Sequence, residues 1–156
     1  NEQIYHLRQK EKLSKYDQDK YFEEVVLKQK KEDNPDQILF SFLKKNELVA
    51  YGGLVHINWG EKEAEVSFVM KTSHEKKNFN LYWDYFLKLL ESIVLKHTNL
   101  VTLSTYAFDL RPRIYKVLEK NKFVFFEKSY YFKNNQKINV KIHKKRIDGR
   151  ETRVLE

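Results

Sequence analysis

The stretch from Ile38 to Met70 restricts the fold of this chain more than any other. Three runs of strand composition, 38–43, 48–57 and 63–70, are separated only by the polar connectors 44–47 and 58–62. Connectors that short join neighbouring antiparallel strands. An amphipathic helix is predicted next over 81–96, where Tyr82, Phe86, Leu89, Leu90, Ile93 and Val94 form an apolar stripe and Asp84, Lys88 and Glu91 face away. Residues 100–106 read as a further strand. The order predicts an antiparallel meander feeding a βαβ unit.

The flanks fit one domain. Asp17 is the expected N-cap of a helix reaching Lys30, with Tyr21, Phe22, Val25 and Val26 on one face and Asn34-Pro35-Asp36 as its stop. A last helix is expected from about Leu110, with Ile114, Val117 and Leu118 on its inner side and Pro112 in its first turn. Residues 123–126 and 138–142 read as closing antiparallel strands. Residues 1–145 are thus expected to form a single domain, and 146–156 a mobile basic tail. The chain begins with Asn1, and its opening residues read as if entered mid-element, so loss of an N-terminal strand or tag is expected.

Composition limits the chemistry. With 156 residues, 41% of them apolar, one ordinary core can be buried. There is no cysteine, which removes disulfides, thiolate zinc sites and a thiol nucleophile and makes the cytoplasm the expected location. The apolar run 48–57 holds two glycines and a histidine and is about half the ~20 residues of a membrane helix, so no membrane span is expected. His6, His56, His74, His97 and His143 lack ligand spacing, and no metal is expected. Residues 1–80 balance 14 basic against 14 acidic side chains, so the net charge of +8 belongs to residues 81–156. Lys141, Lys144, Lys145 and Arg146 could attract nucleic acid, but no nucleic-acid motif accompanies them, and a solvated lysine-rich surface is the other reading.

The element order, together with the segments 49–56 (VAYGGLVH), 64–68 (AEVSF) and 106–123 (YAFDLRPRIYKVLEKNKF), resembles the GNAT superfamily of acyl-CoA-dependent N-acetyltransferases. The resemblance is to the branch acting on ribosomal-protein N-termini and on nucleotide-linked amino sugars. It implies an α+β fold with a mixed, mostly antiparallel sheet flanked by helices. It also implies acetyl-CoA as co-substrate and a primary amine as acceptor, either an amino-sugar nucleotide or a protein N-terminus. A catalytically degenerate acyl-CoA-binding or protein-interaction module is the alternative. A homodimer is compatible with the sequence but not specified by it.

In this family the CoA arm lies where the fourth and fifth strands splay apart, here 63–70 and 100–106. Phe68, Val69 and Met70 are the expected contacts, with an N–H near Val69 polarising the thioester. The diphosphate is expected at 71–80, read as a loop opening the long helix. That loop has no glycine, and none occurs between Gly60 and Gly149. Ser73 and Asn78 are therefore expected to cap the helix, with Lys76 and Lys77 supplying charge. Counting back from Phe123, Arg111 takes the family's asparagine place, and Leu118 the place of the tyrosine that protonates the leaving thiolate. Tyr115, one turn earlier, is the candidate acid; the alternative is a half-buried tyrosine packed on the sheet.

Glu65 lies where members carry a catalytic carboxylate, so it is expected to act as base or to anchor the amine. Alternation puts Glu63, Glu65, Ser67 and Val69 on one face and Ala64, Val66, Phe68 and Met70 on the other. His56 is a second candidate base, since imidazole suits that role, against a purely structural place in its strand. Gly52-Gly53 predicts a bulge or a close approach to the backbone. Tyr51, Trp59, Tyr82, Trp83 and Tyr106 are pocket-lining or core candidates.

Overall fold

In the computed structural model the described residues are 8–149. The meander forms as expected: β1 (Ile38–Lys44), β2 (Glu47–Asn58) and β3 (Glu63–Met70) pair antiparallel. The β1–β2 turn uses Lys45 and Asn46, both at positive φ, as a two-residue hairpin requires. Helix α3 (Thr72–His97) follows, then β4 (Thr102–Phe108), α4 (Arg113–Lys120), β5 (Val124–Lys133) and β6 (Gln136–Arg146). The six strands lie in the order β1-β2-β3-β4-β6-β5, and only β3 and β4 run parallel. The result is the mixed, mostly antiparallel α+β sheet that was expected.

The core lies between the sheet and helices α3 and α4. Phe79, Tyr82, Trp83, Phe86, Leu87, Leu90 and Val94 are buried on α3 against Leu54, Ala64, Val66 and Met70. Ile114, Val117 and Leu118 of α4 close the cluster. Asp84 joins the two helices, accepting hydrogen bonds from Lys88 (2.8 Å), Lys120 (3.0 Å) and Asn121 (2.7 Å). It is buried rather than outward-facing, and Leu89 of the expected stripe is exposed. Phe79 sets the helix phase, and the expected start at Leu81 left it out.

The glycine pair answers to backbone crowding. A Cβ on Gly52 would stand 2.1 Å from the Ser67 carbonyl oxygen, and Gly53, at φ +153°, backs onto the Ile38 carbonyl. The close approach comes from β3 and β1, and the bulges fall elsewhere, at Phe42/Leu43 and Val55/Asn58.

Several boundaries differ from expectation. Residues 72–80 are helical, not a loop, so Ser73, Lys76, Lys77 and Asn78 lie within α3 rather than in a phosphate-binding turn, and its N-cap is Lys71. The first helix is capped by Ser14 in a capping box with Asp17, so Asp17 is not the cap. It comprises α1 (Lys15–Tyr21), a π-helical turn (Phe22–Val26) and the single turn α2 (Leu27–Gln29), with no buried residue. Its expected apolar face therefore makes no core. Strands β5 and β6 continue to a tight turn at Asn134-Asn135, both at positive φ. Strand β6 includes Arg146, and Ile147 is buried in the core, so the fold reaches past residue 145. The expected missing strand before residue 8 and the tail from 150 lie outside the described residues. Four basic side chains of β6 pair with carboxylates: Lys141 with Asp109, Lys144 with Glu63, Lys145 with Glu91 and Arg146 with Asp148.

Candidate active site

Strands β3 and β4 pair over only three residue pairs, Glu63–Thr102, Ala64–Leu103 and Glu65–Ser104. Beyond them β3 keeps its partner β2 as far as Met70, and β4 keeps β6 as far as Phe108, but the inner edges no longer meet. A cavity of about 510 Å³ opens there. Edge N–H and C=O groups along such a gap can pair with an extended ligand, as an added strand would. Alternation divides the lining: Glu65, Ser67, Val69, Tyr106 and Phe108 share one face, and Val66, Phe68, Thr105 and Ala107 the other, beside Phe79, Trp83 and Ile114.

The closed end of the gap carries a carboxylate–imidazole pair. His56 Nδ1 lies 3.0 Å from Glu65 Oε2. Strict alternation would send His56 to the core face, because its neighbours Leu54 and Val55 pair with Val66 and Glu65. The bulge between Val55 and Asn58, with His56 at φ +50°, turns the ring back to the Glu65 side and returns Ile57 to the core. Arg8 completes the cluster: its Nη2 is 2.6 Å from Glu65 Oε1 and its Nη1 3.3 Å from His56 Nδ1. One ring nitrogen cannot donate to the carboxylate and accept from the guanidinium at once. The shorter contact, to an anion, favours Nδ1–H donating to Glu65 and leaves the Nε2 lone pair available on a ring that is 66% exposed. The Arg8 guanidinium also lies 4.0 Å above the centroid of Tyr106.

The open end lies past the C-terminal ends of both strands. Here Glu75, in the first turn of α3 and 6% exposed, accepts from Arg111 Nη1 at 2.8 Å and Arg113 Nη2 at 3.0 Å. Both guanidinium groups lie over the Phe79 ring. Two guanidinium groups thus converge on one carboxylate beside a helix N-terminus, a setting that favours anions.

Among the residues singled out in the sequence, Glu65 and His56 meet directly, and Phe68, Val69 and Arg111 line the same cavity. Met70 is buried in the core and is not part of the lining, nor are Ser73, Lys76, Lys77 and Asn78, although these four lie on the first turns of α3. Tyr115 is also absent from the lining. Its hydroxyl donates to Asp109 at 2.9 Å, and its ring stacks on His143 with Lys141 above it. Burial and the hydrogen bond to Asp109 push its pKa well above 10, which makes it a weaker acid. Trp83 and Tyr106 line the cavity, Tyr82 is core, and Trp59 donates to the Pro35 carbonyl.

Sequence reasoning missed Arg8, Glu75, Arg113 and Thr105. Arg113 carries a charge two residues from Arg111, but Glu75 is remote from both in sequence, and nothing local joins them. Thr105 is 5% exposed, and its hydroxyl has no hydrogen-bond partner among the described residues, as is also true of the Trp83 indole N–H.

No family model and no curated protein matches the sequence. Solved structures match the fold. Spermidine N-acetyltransferase from Vibrio cholerae in complex with CoA and spermine is 14% identical; the match covers 92% of this chain and 81% of that one, with a TM-score of 0.76. Mutant forms of the spermidine/spermine N-acetyltransferase of the same organism are 18% identical over 88% and 80% of the two chains, with a TM-score of 0.72. A probable acetyltransferase is 14% identical over 82% and 72%, with a TM-score of 0.68. At these identities the likeness is one of fold, and the chain has the fold of the GNAT N-acetyltransferases.

Proposed function

We propose that this chain is an N-acetyltransferase that moves the acetyl group of acetyl-CoA onto a primary alkylamine. The observation that carries this reading is the separation of β3 from β4 after Glu65–Ser104, with the Glu65–His56 pair at the closed end of the gap. The pantetheine arm pairs with the inner strand edges beside Phe68 and Val69, and the phosphates lie past the strand ends near Arg111 and Arg113. Ser73, Lys76, Lys77 and Asn78 on α3 flank that end and add polar and positive groups.

An alkylammonium near pKa 10.4 is free base in only about one molecule in a few thousand at pH 7. His56 Nε2 takes the ammonium proton, and Glu65 holds the imidazole and balances the imidazolium. The amine nitrogen then bonds to the thioester carbon and the C–S bond breaks. The CoA thiolate leaves with the electron pair and, through water, takes the second proton that the nitrogen sheds as it becomes the amide. Tyr115 has no part in this step.

Glu65 and Asp36 both line the acceptor side. With Arg8 paired to Glu65 these two carboxylates still leave a net negative charge, which favours a cationic alkylamine, the class that includes the polyamines named for the structural neighbours, over a sugar nucleotide whose phosphates it would repel. Glu75 and the diverted Tyr115 favour a second reading, a module that binds acyl-CoA without turnover. The test is CoA thiol release with a panel of alkylamines, amino-sugar nucleotides and peptides, with mass detection of the acetylated product. Release with alkylamines supports the enzyme; CoA binding without release from any acceptor supports the module.

A further inference from the structure

The cation at the acceptor end of the cavity belongs to the chain itself. Arg8 meets the Glu65 carboxylate on the acceptor side of the cavity, through the oxygen that His56 does not use, and its guanidinium covers the Tyr106 face. The Arg8 carbonyl accepts a hydrogen bond from the Tyr131 hydroxyl at 3.2 Å, which fixes the backbone at the cavity rim. The Arg8 side chain is 33% exposed, against 18% for Glu65, so the guanidinium lies over the carboxylate on its solvent side. An incoming ammonium needs the same oxygen and the same aromatic face. The two cations therefore exclude one another.

We infer that Arg8 is a specificity-determining residue, a built-in cation that occupies the acceptor subsite until an alkylammonium displaces it. A neutral or anionic amine cannot take its place, because removing Arg8 without supplying another cation leaves the partly buried Glu65 with the His56 hydrogen bond but no counter-charge. A slender ammonium can replace both the ion pair and the cation–π contact. The displacing ligand rests on the acetyltransferase reading; the occupancy by Arg8 does not. If Arg8 holds the subsite about nine-tenths of the time, apparent acceptor affinity is reduced about tenfold.

The test separates these two layers. Ethylguanidinium ion is titrated into wild type, Arg8→Ala and Arg8→Ala/Glu65→Gln, with binding followed by NMR shifts of the Tyr106 ring and by thermal stabilisation. Saturable binding is expected to Arg8→Ala alone. Equal binding to wild type and Arg8→Ala, binding that survives Glu65→Gln, or none to a folded Arg8→Ala protein would overturn the occupancy. In turnover, Arg8→Ala is expected to lower the alkylamine KM about tenfold, leave the acetyl-CoA KM unchanged, and recover the wild-type KM when ethylguanidinium is added. An unchanged alkylamine KM would overturn the specificity role. If wild type acetylates no amine, the acetyltransferase reading falls, and the ethylguanidinium titration still decides whether Arg8 occupies a cation subsite.

Discussion

Replacing Glu65 with glutamine preserves shape and removes one charge, and every contact at the closed end responds. The 3.0 Å contact to His56 Nδ1 loses the anion that fixes the imidazole tautomer, because a glutamine amide can donate to Nδ1 as readily as accept from it. The imidazolium formed on proton uptake also loses its counter-charge. General-base catalysis contributes about 10²–10⁴-fold. His56 stays in place in this variant, so the lower end applies, about 100-fold in kcat/KM or about 2.7 kcal/mol of transition-state stabilisation. The ion pair with Arg8 is partly solvent-screened and contributes no more than about 1 kcal/mol to folding, so the variant remains folded. Continuous detection of released CoA thiol, with acetyl-CoA saturating and the amine varied, gives the ratio. A folded Glu65→Gln enzyme within about threefold of wild-type kcat/KM would refute the carboxylate–imidazole assignment.

Tyr115→Phe is expected to keep turnover within about threefold and to lose about 1 kcal/mol of stability with its hydrogen bond to Asp109; a hundredfold loss of kcat in a folded protein would return Tyr115 to the role of leaving-group acid. Thr105→Val removes a buried hydroxyl that has no partner among the described residues, and urea unfolding should show a gain of about 1 kcal/mol; a loss would mean that the hydroxyl is satisfied in solution. Hydrogen bonds from Lys88, and then from Asn121 and Lys120, hold the Asp84 carboxyl well below the usual carboxylate range despite its desolvation. Its folded pKa is thus below the unfolded one, so the unfolded state binds more protons between the two values. The stabilisation is present above about pH 4 and is lost as pH falls through the folded value. Asp84→Asn should flatten the acid side of the stability curve, measured by urea unfolding from neutral pH downward, and an unchanged slope would count against it.

The meander was legible because its connectors are short and its strands alternate; Glu65 was singled out by the family resemblance, and alternation gave only the face it shares. Other features depended on contacts that no window of sequence contains. Residues 72–80 are polar apart from Phe79, so the helix signal began at Leu81, and the buried Asp84 is explained by Lys120 and Asn121 on another helix. The Asn134-Asn135 pair was a turn signal that went unread because Glu127, Lys128 and Ser129 interrupt the apolar pattern of β5. His56 was chosen for its chemistry, yet its meeting with Glu65 depends on a bulge that reverses the direction alternation assigns. Arg8 with Glu65, and Arg111 with Glu75, are pairs made by topology alone.

The measurement that bears most directly on the gap between β3 and β4 as the acyl-CoA site is calorimetric titration of acetyl-CoA into wild type and Ala107→Trp. Ala107 lines the cavity from β4, and an indole there fills the space between the strands. Saturable binding by wild type that disappears in a folded Ala107→Trp protein is the predicted result. No binding by wild type, or equal binding by both, would contradict it.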